Sequence, residues 1–242
     1  MEEPHVFATH PWTTVPFEVH PKTVYDRIVD ILLLIPGCLL LYKQINQVSG
    51  LDIMQEHKLR LELELTATSL MQRIRDWWEE LVEFTARQTG KDTILLYGLG
   101  GPKNPSRSNE PYFLDAFTAC ITASYHTGNI ILYALLSFAS SQTHIYDSEI
   151  ESHASQIILS VEYLIKSSSC TAGTLMMVFP LKIMCHCCQN EFQKQYAFEI
   201  LEMWGQKKGI DGICTQAAPL YDIPKISVTG TEVCLTDCLH DK

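Results

Sequence analysis

The sequence predicts an all-α protein, a single domain of antiparallel packed helices between irregular N- and C-terminal segments. Three observations carry that prediction. Apolar residues recur at spacings of three and four in one segment after another, which is the signature of a helix with about 3.6 residues per turn. Several of these segments open on an N-cap residue and close on glycine or lysine. The 242-residue chain is also 46% hydrophobic and 19% charged, enough apolar material for a core and too much for disorder. Residues 1–21 read as a lead-in, 22–212 as the helical domain, and 213–242 as a mostly irregular tail.

In the lead-in, Pro4, Pro11, Pro16 and Pro21 stand too close together for a helix. Thr23 to Ile35 follows as a helix with Val24, Ile28, Ile31, Leu32 and Ile35 on one face. Pro36-Gly37 breaks or kinks it, and Cys38 to Val48 resumes. Asp26 and Asp30 stand at i and i+4, a spacing able to hold a divalent cation. With no third acid nearby they read as two solvated carboxylates. Residues 51–89 form one long helix whose second half keeps a heptad: Leu63, Ala67, Leu70, Ile74, Trp77, Leu81 and Phe84. Trp77-Trp78 reads as core and core edge. A base-stacking platform needs basic neighbours, and Glu79-Glu80 follows instead.

Gly90 ends that helix and a surface loop of Gly, Pro and Ser follows. Its Gly98-Leu99-Gly100-Gly101 lacks both the dinucleotide fingerprint and the Gly-Lys-Ser/Thr ending of a phosphate loop. The next helix is expected to start near Asn109, with Pro111 in its first turn. Phe113, Phe117, Cys120, Ser124, Ile131, Leu135 and Phe138 mark its buried side. No Asp, Glu, Lys or Arg occurs between Asp115 and Asp147. Tyr125, His126, Asn129, Tyr133 and Gln142 make a membrane span the poorer reading, so this is the buried central helix. His126 and Asn129 read as a satisfied polar pair, with the lining of an internal cavity as the rival reading. Ser148 and Glu151 suggest a capping box for a helix with Ile150, Ala154, Ile157, Ile158, Val161, Leu164 and Ile165 on its apolar face. Ser167-Ser168-Ser169 interrupts it and Thr171 to Gly173 makes a turn.

Leu175 to Gly212 reads as two packed helices. An apolar run carries Phe179-Pro180-Leu181, a polar break follows, and an amphipathic helix comes next. Asn190 is its N-cap, and Glu191 sits in the first turn where the helix dipole favours an anion. Phe192, Tyr196, Ala197, Ile200, Met203 and Trp204 form its face, with Gln193 and its charged neighbours mainly off it. Lys207 and Lys208 close it, and Gly209 takes the left-handed C′ position.

The chemistry legible here is sparse. Nine cysteines without a signal-peptide pattern point to free thiols in a reducing compartment. Cys185-His186-Cys187-Cys188 is the densest metal-capable cluster. Neighbours one or two apart do not share a helix face, and structural zinc takes paired ligands. Cys234 and Cys238 with His240 offer a second group for a shared zinc, but free, partly buried thiols are the expectation and no metal is expected. No nucleophile elbow or metallohydrolase motif occurs, and neither catalytic residues nor a cofactor are expected. The formal net charge of −10 and the absence of a basic run exclude a general affinity for nucleic acid.

One constellation adds to this. Tyr25-Asp26-Arg27-Ile28-Val29-Asp30 with Pro36-Gly37, the Trp77-Trp78 helix end, and the Pro-bearing loop before Tyr112 come first. The uncharged helix around Tyr125 and Tyr133, Ile157 to Tyr163 and Gly173 follow. Phe179-Pro180-Leu181 and Trp204-Gly205-Gln206-Lys207-Lys208-Gly209-Ile210 complete the series. In order and spacing it resembles the C-terminal regulatory domain of fungal zinc-cluster transcription factors. The resemblance implies an all-helical domain in the nucleus that modulates an attached DNA-binding module, often in response to metabolites and in secondary-metabolism gene clusters. It implies partners in the transcription machinery, or a second copy in a homodimer, and a small-molecule effector. The family's six-cysteine cluster is not among these residues, so direct DNA binding is not expected of this chain alone, nor is a membrane. The rival expectation is a helical isomerase or cyclase encoded in such a cluster. Its pocket would be lined by Tyr125, His126, Asn129 and Tyr133. A convergent polar pocket with a perturbed histidine favours the enzyme, and a featureless apolar interior favours the regulator.

Overall fold

The computed structural model describes residues 14–89, 113, 115–142, 144–167 and 171–215. Among them the chain is overwhelmingly helical and contains no strand. After a 3₁₀ turn at Val15–Phe17 come α1 (Val24–Leu32), α2 (Ile35–Val48), α3 (Ile53–Thr89), α4 (Ala116–Ala139), α5 (Asp147–Lys166), α6 (Thr171–Cys187), α7 (Glu191–Lys208) and α8 (Asp211–Thr215). Short connections join α4 through α8, and each of these helices packs on the next, the pattern of antiparallel neighbours. The fold class expected from the sequence is the one observed.

Helix α4 is the centre, packed against α1, α2, α3, α5 and α6. A helix apolar on all sides is stable only where other helices surround it, which is the fate of this uncharged segment. Val24–Val48 is the one stretch among the described residues apolar and long enough to cross a membrane by length and composition. It is two helices, α1 and α2, and both pack on α3.

Helix α3 has 37 residues, a rod of roughly 55 Å at about 1.5 Å per residue. Its heptad seam is buried from Leu63 through Leu81, and Phe84 is half-buried against it. Trp77 Nε1 donates to the Val24 carbonyl at 2.6 Å, and Arg27 pairs with Glu80, so α1 is tied to α3. Arg60 donates to the Phe138 carbonyl at 2.6 Å while its guanidinium lies 4.6 Å from the Phe138 ring. That joins α3 to the end of α4. Gly128 lets α4 come close to its neighbours, since a Cβ there would lie 2.7 Å from Leu32 Cδ2 and 3.4 Å from Ile74 Cδ1.

Several local expectations are corrected. The first acids are not loose carboxylates: Asp26 closes a capping box with Thr23, and Asp30 pairs with Lys22. Helix α4 begins at Ala116, with Asp115 accepting from Thr118 N at 2.7 Å, rather than near Asn109. Phe117 stays 46% exposed and Ser124 half-buried. Ser148 and Glu151 form no capping box, because α5 starts two residues earlier than that box requires, at Asp147, and Ser148 Oγ donates to Glu149 at 2.7 Å. Thr171 to Gly173 are the first turn of α6, not a loop before it. Ile165 faces solvent at the end of α5.

In α7 the cap, the lysines and the left-handed Gly209, at φ 68°, stand as expected. Its buried strip is turned, however, to Gln193, Ala197, Leu201, Trp204 and Gly205, and Phe192 is 75% exposed. Gln193 Nε2 makes the difference. It donates to the Glu151 carbonyl at 2.9 Å and to Ser155 Oγ at 3.0 Å, binding α7 to α5. The loop at 90–112 and the tail beyond 215 lie outside the described residues.

Candidate functional site

Polar residues are scarce inside this body, and on α4 all the buried ones but Thr127 line up. Thr118, Thr122, Tyr125, His126, Asn129, Tyr133 and Ser137 fall within about a third of the helix circumference at 100° per residue. All but the half-buried Tyr133 are buried. The four residues singled out from the sequence, Tyr125, His126, Asn129 and Tyr133, therefore share one seam.

The structure does not pair His126 with Asn129. Asn129 Nδ2 donates to the Tyr125 carbonyl one turn back, at 2.9 Å. His126 meets His153 of α5 instead, Nδ1 to Nδ1, at 2.7 Å. One ring must donate and the other accept, so the tautomers of the two are coupled. Both are held neutral. Burial pushes His126 well below the ordinary histidine range, and the neighbouring His153 adds to that. Burial likewise lowers His153 to about 4, with Glu149 pulling weakly the other way.

Aromatic rings enclose the pair. Trp78 stacks on Tyr125 at 4.3 Å and 21°, and its centroid lies 5.8 Å from that of His126. Tyr133 stands 5.7 Å from His153 and 5.1 Å from Tyr146. Burial raises the Tyr125 hydroxyl to about 12 and raises Tyr133 as well. Both phenols are neutral donors at physiological pH.

Sequence reasoning missed His153, Trp78 and Tyr146 as members of this cluster. The signal for His153 was present. It stands at the edge of the α5 apolar stripe, three residues after Ile150 and four before Ile157, where a solvated histidine has no place. Trp78 carried no such signal, because its partner lies 47 positions away (Tyr125) in the chain.

Elsewhere, burial holds the thiols of the 185–188 cluster protonated. Burial raises Cys185 to about 11, Cys188 to about 12, and Cys187 further still. Thiols held protonated are neither nucleophiles nor ready metal ligands. Among the described residues no three His, Cys, Asp or Glu side chains are placed to share a metal ion. Cys234, Cys238 and His240 lie outside them.

No family model matches the chain, and no curated protein or solved structure matches it either.

Proposed function

We propose that this chain is a regulatory and interaction domain of the kind that fungal zinc-cluster transcription factors carry, acting in the nucleus on gene expression, with secondary-metabolism clusters as its setting. The observation that carries the reading lies in the segment with the strongest resemblance. On α6, Leu175, Met176 and Phe179 are 41%, 39% and 51% exposed. Phe179 stands three residues after Met176 and four after Leu175, so it joins both into one outward strip. Exposed apolar residues grouped on one face mark contact with another macromolecule. The partner is a component of the transcription machinery or a second copy, and a small-molecule effector shifts the balance of states. The 242 residues contain no six-cysteine cluster and carry a net charge of −10, so duplex DNA is reached through a separate DNA-binding module.

Fusing the full chain to an unrelated DNA-binding module in a fungal host tests this. Reporter output should differ from that of the module alone. Equal output would defeat the reading.

A second reading has its own support. The neutral His126–His153 pair is a perturbed, convergent polar group of the kind an isomerase or cyclase uses for proton transfer. His126 is only 1% exposed, so a substrate reaches it only after the helices part. Turnover of a metabolite by the purified chain, together with a silent fusion, would favour the enzyme.

A further inference from the structure

Three buried polar atoms on neighbouring residues have no hydrogen-bond partner: Trp78 Nε1, Thr122 Oγ1 and His126 Nε2. Their residues are 2%, 4% and 1% exposed. Thr122 precedes His126 by one helical turn on the polar seam, and the Trp78 ring lies 5.8 Å from the His126 ring. A buried donor or acceptor left unsatisfied is costly, and all three side chains are buried on two helices that pack together, α3 and α4. We infer that these three atoms form an interior hydrogen-bonding site between α3 and α4 for one small neutral guest with an oxygen atom, a water or an organic hydroxyl such as a phenol.

The chemistry of the guest follows from the donors. Trp78 Nε1–H only donates, so the guest must accept. Thr122 Oγ1 rotates to give or to take a hydrogen. His126 Nε2 carries a hydrogen when His153 donates across the Nδ1–Nδ1 contact and is bare when His126 donates. A hydroxyl oxygen suits either tautomer, because it donates and accepts. A cation is excluded, having nothing to offer the indole N–H. An anion is disfavoured because the residues in contact carry no positive charge. Arg75 and Glu79 on α3 and Glu149 on α5 act on Tyr125, Tyr133 and His153, whereas the neighbour that acts on His126 is the neutral His153. The site holds whether or not the chain regulates transcription, so it extends the proposed function without depending on it.

The test uses the full chain and phenol as probe. A high-resolution crystal structure, grown with and without phenol, should show an oxygen within hydrogen-bond reach of at least two of the three atoms. In solution, the Trp78 indole N–H, assigned by its loss in Trp78→Phe, should shift saturably with phenol, and Thr122→Val should abolish the shift while the fold persists. Bridging density of one atom with no phenol response assigns the site to water. Phenol density with a saturable shift assigns it to an organic hydroxyl. Density on none of the three atoms together with no saturable shift overturns the proposal. A phenol shift untouched by Thr122→Val, without bridging density, overturns it as well.

Discussion

Two imidazole nitrogens 2.7 Å apart in a shell of aromatic rings make the fold's response to acid legible at a single contact. In the unfolded chain both histidines titrate near ~6.5. In the folded chain both are pushed lower, His153 to about 4. The unfolded state therefore binds more protons between those values, and stability rises with pH across that window. The contribution is complete above about 6.5 and is lost as pH falls toward 4. For His153 alone its size is on the order of 3 kcal/mol at one pKa unit per ~1.4 kcal/mol. Urea midpoints measured from pH 7 down to pH 5 should fall steeply for the native chain and less so for His126→Phe/His153→Leu. Parallel slopes for the two proteins would show that the pair does not govern the response. His126 stood out in an apolar helix and His153 stood at the edge of an apolar stripe, but that the two meet depended on how two helices lie against each other, which no local pattern encodes.

Among the helices, the turn from α7 into α8 depends on an absent side chain. A Cβ on Gly205 would stand 2.9 Å from Asp211 Oδ1 and 3.2 Å from the Asp211 Cα. The second of these is backbone and cannot swing aside. Gly205→Ala should therefore destabilise by about 1–3 kcal/mol. Gly212→Ala, where nothing lies within 4 Å, should be neutral or slightly stabilising, since alanine is the better helix former. Thermal midpoints of the two variants check this, and equal effects would contradict it. Asn190→Ala should cost about 1 kcal/mol by removing the acceptor for Phe192 N and Gln193 N. Asn190 and Gly209 were readable because a cap is local, its donors being two or three residues away. The Ser148–Glu151 box was misread because that pattern does not fix where the backbone turns helical. The α7 face was misread by periodicity that weighed Phe192 above Gln193. The buried glutamine is set by the Glu151 carbonyl and Ser155 of another helix, and apolarity alone does not register a polar anchor.

For the molecule as a whole, core and outward strip make separable demands on function. Trp204 is 5% exposed on the buried side of α7, and Trp204→Ala should cost ~3–5 kcal/mol through the space it leaves. A fusion carrying it should lose its reporter effect together with its cooperative melting. Lys207, exposed in the last turn of α7, should tolerate alanine on both counts. The all-helical architecture was legible because it is repeated in every segment, but no period in the sequence tells an apolar strip that packs inward from one that is left outside. Leu175 and Phe179 belong to the same apolar run as the buried Met177, Val178 and Leu181. Only the placement of α6 against α4, α5 and α7 separates them. That separation yields the decisive variant. Leu175→Ser/Phe179→Ser removes two side chains about half of whose surface is already in water, so it should cost about 2 kcal/mol, less than Trp204→Ala, and keep cooperative melting and native helical circular dichroism. Its fusion should nevertheless lose most of the reporter effect, because the contact with the partner is gone. If that variant melts cooperatively and keeps full reporter activity while Trp204→Ala loses it, the strip on α6 is not the surface through which the domain acts.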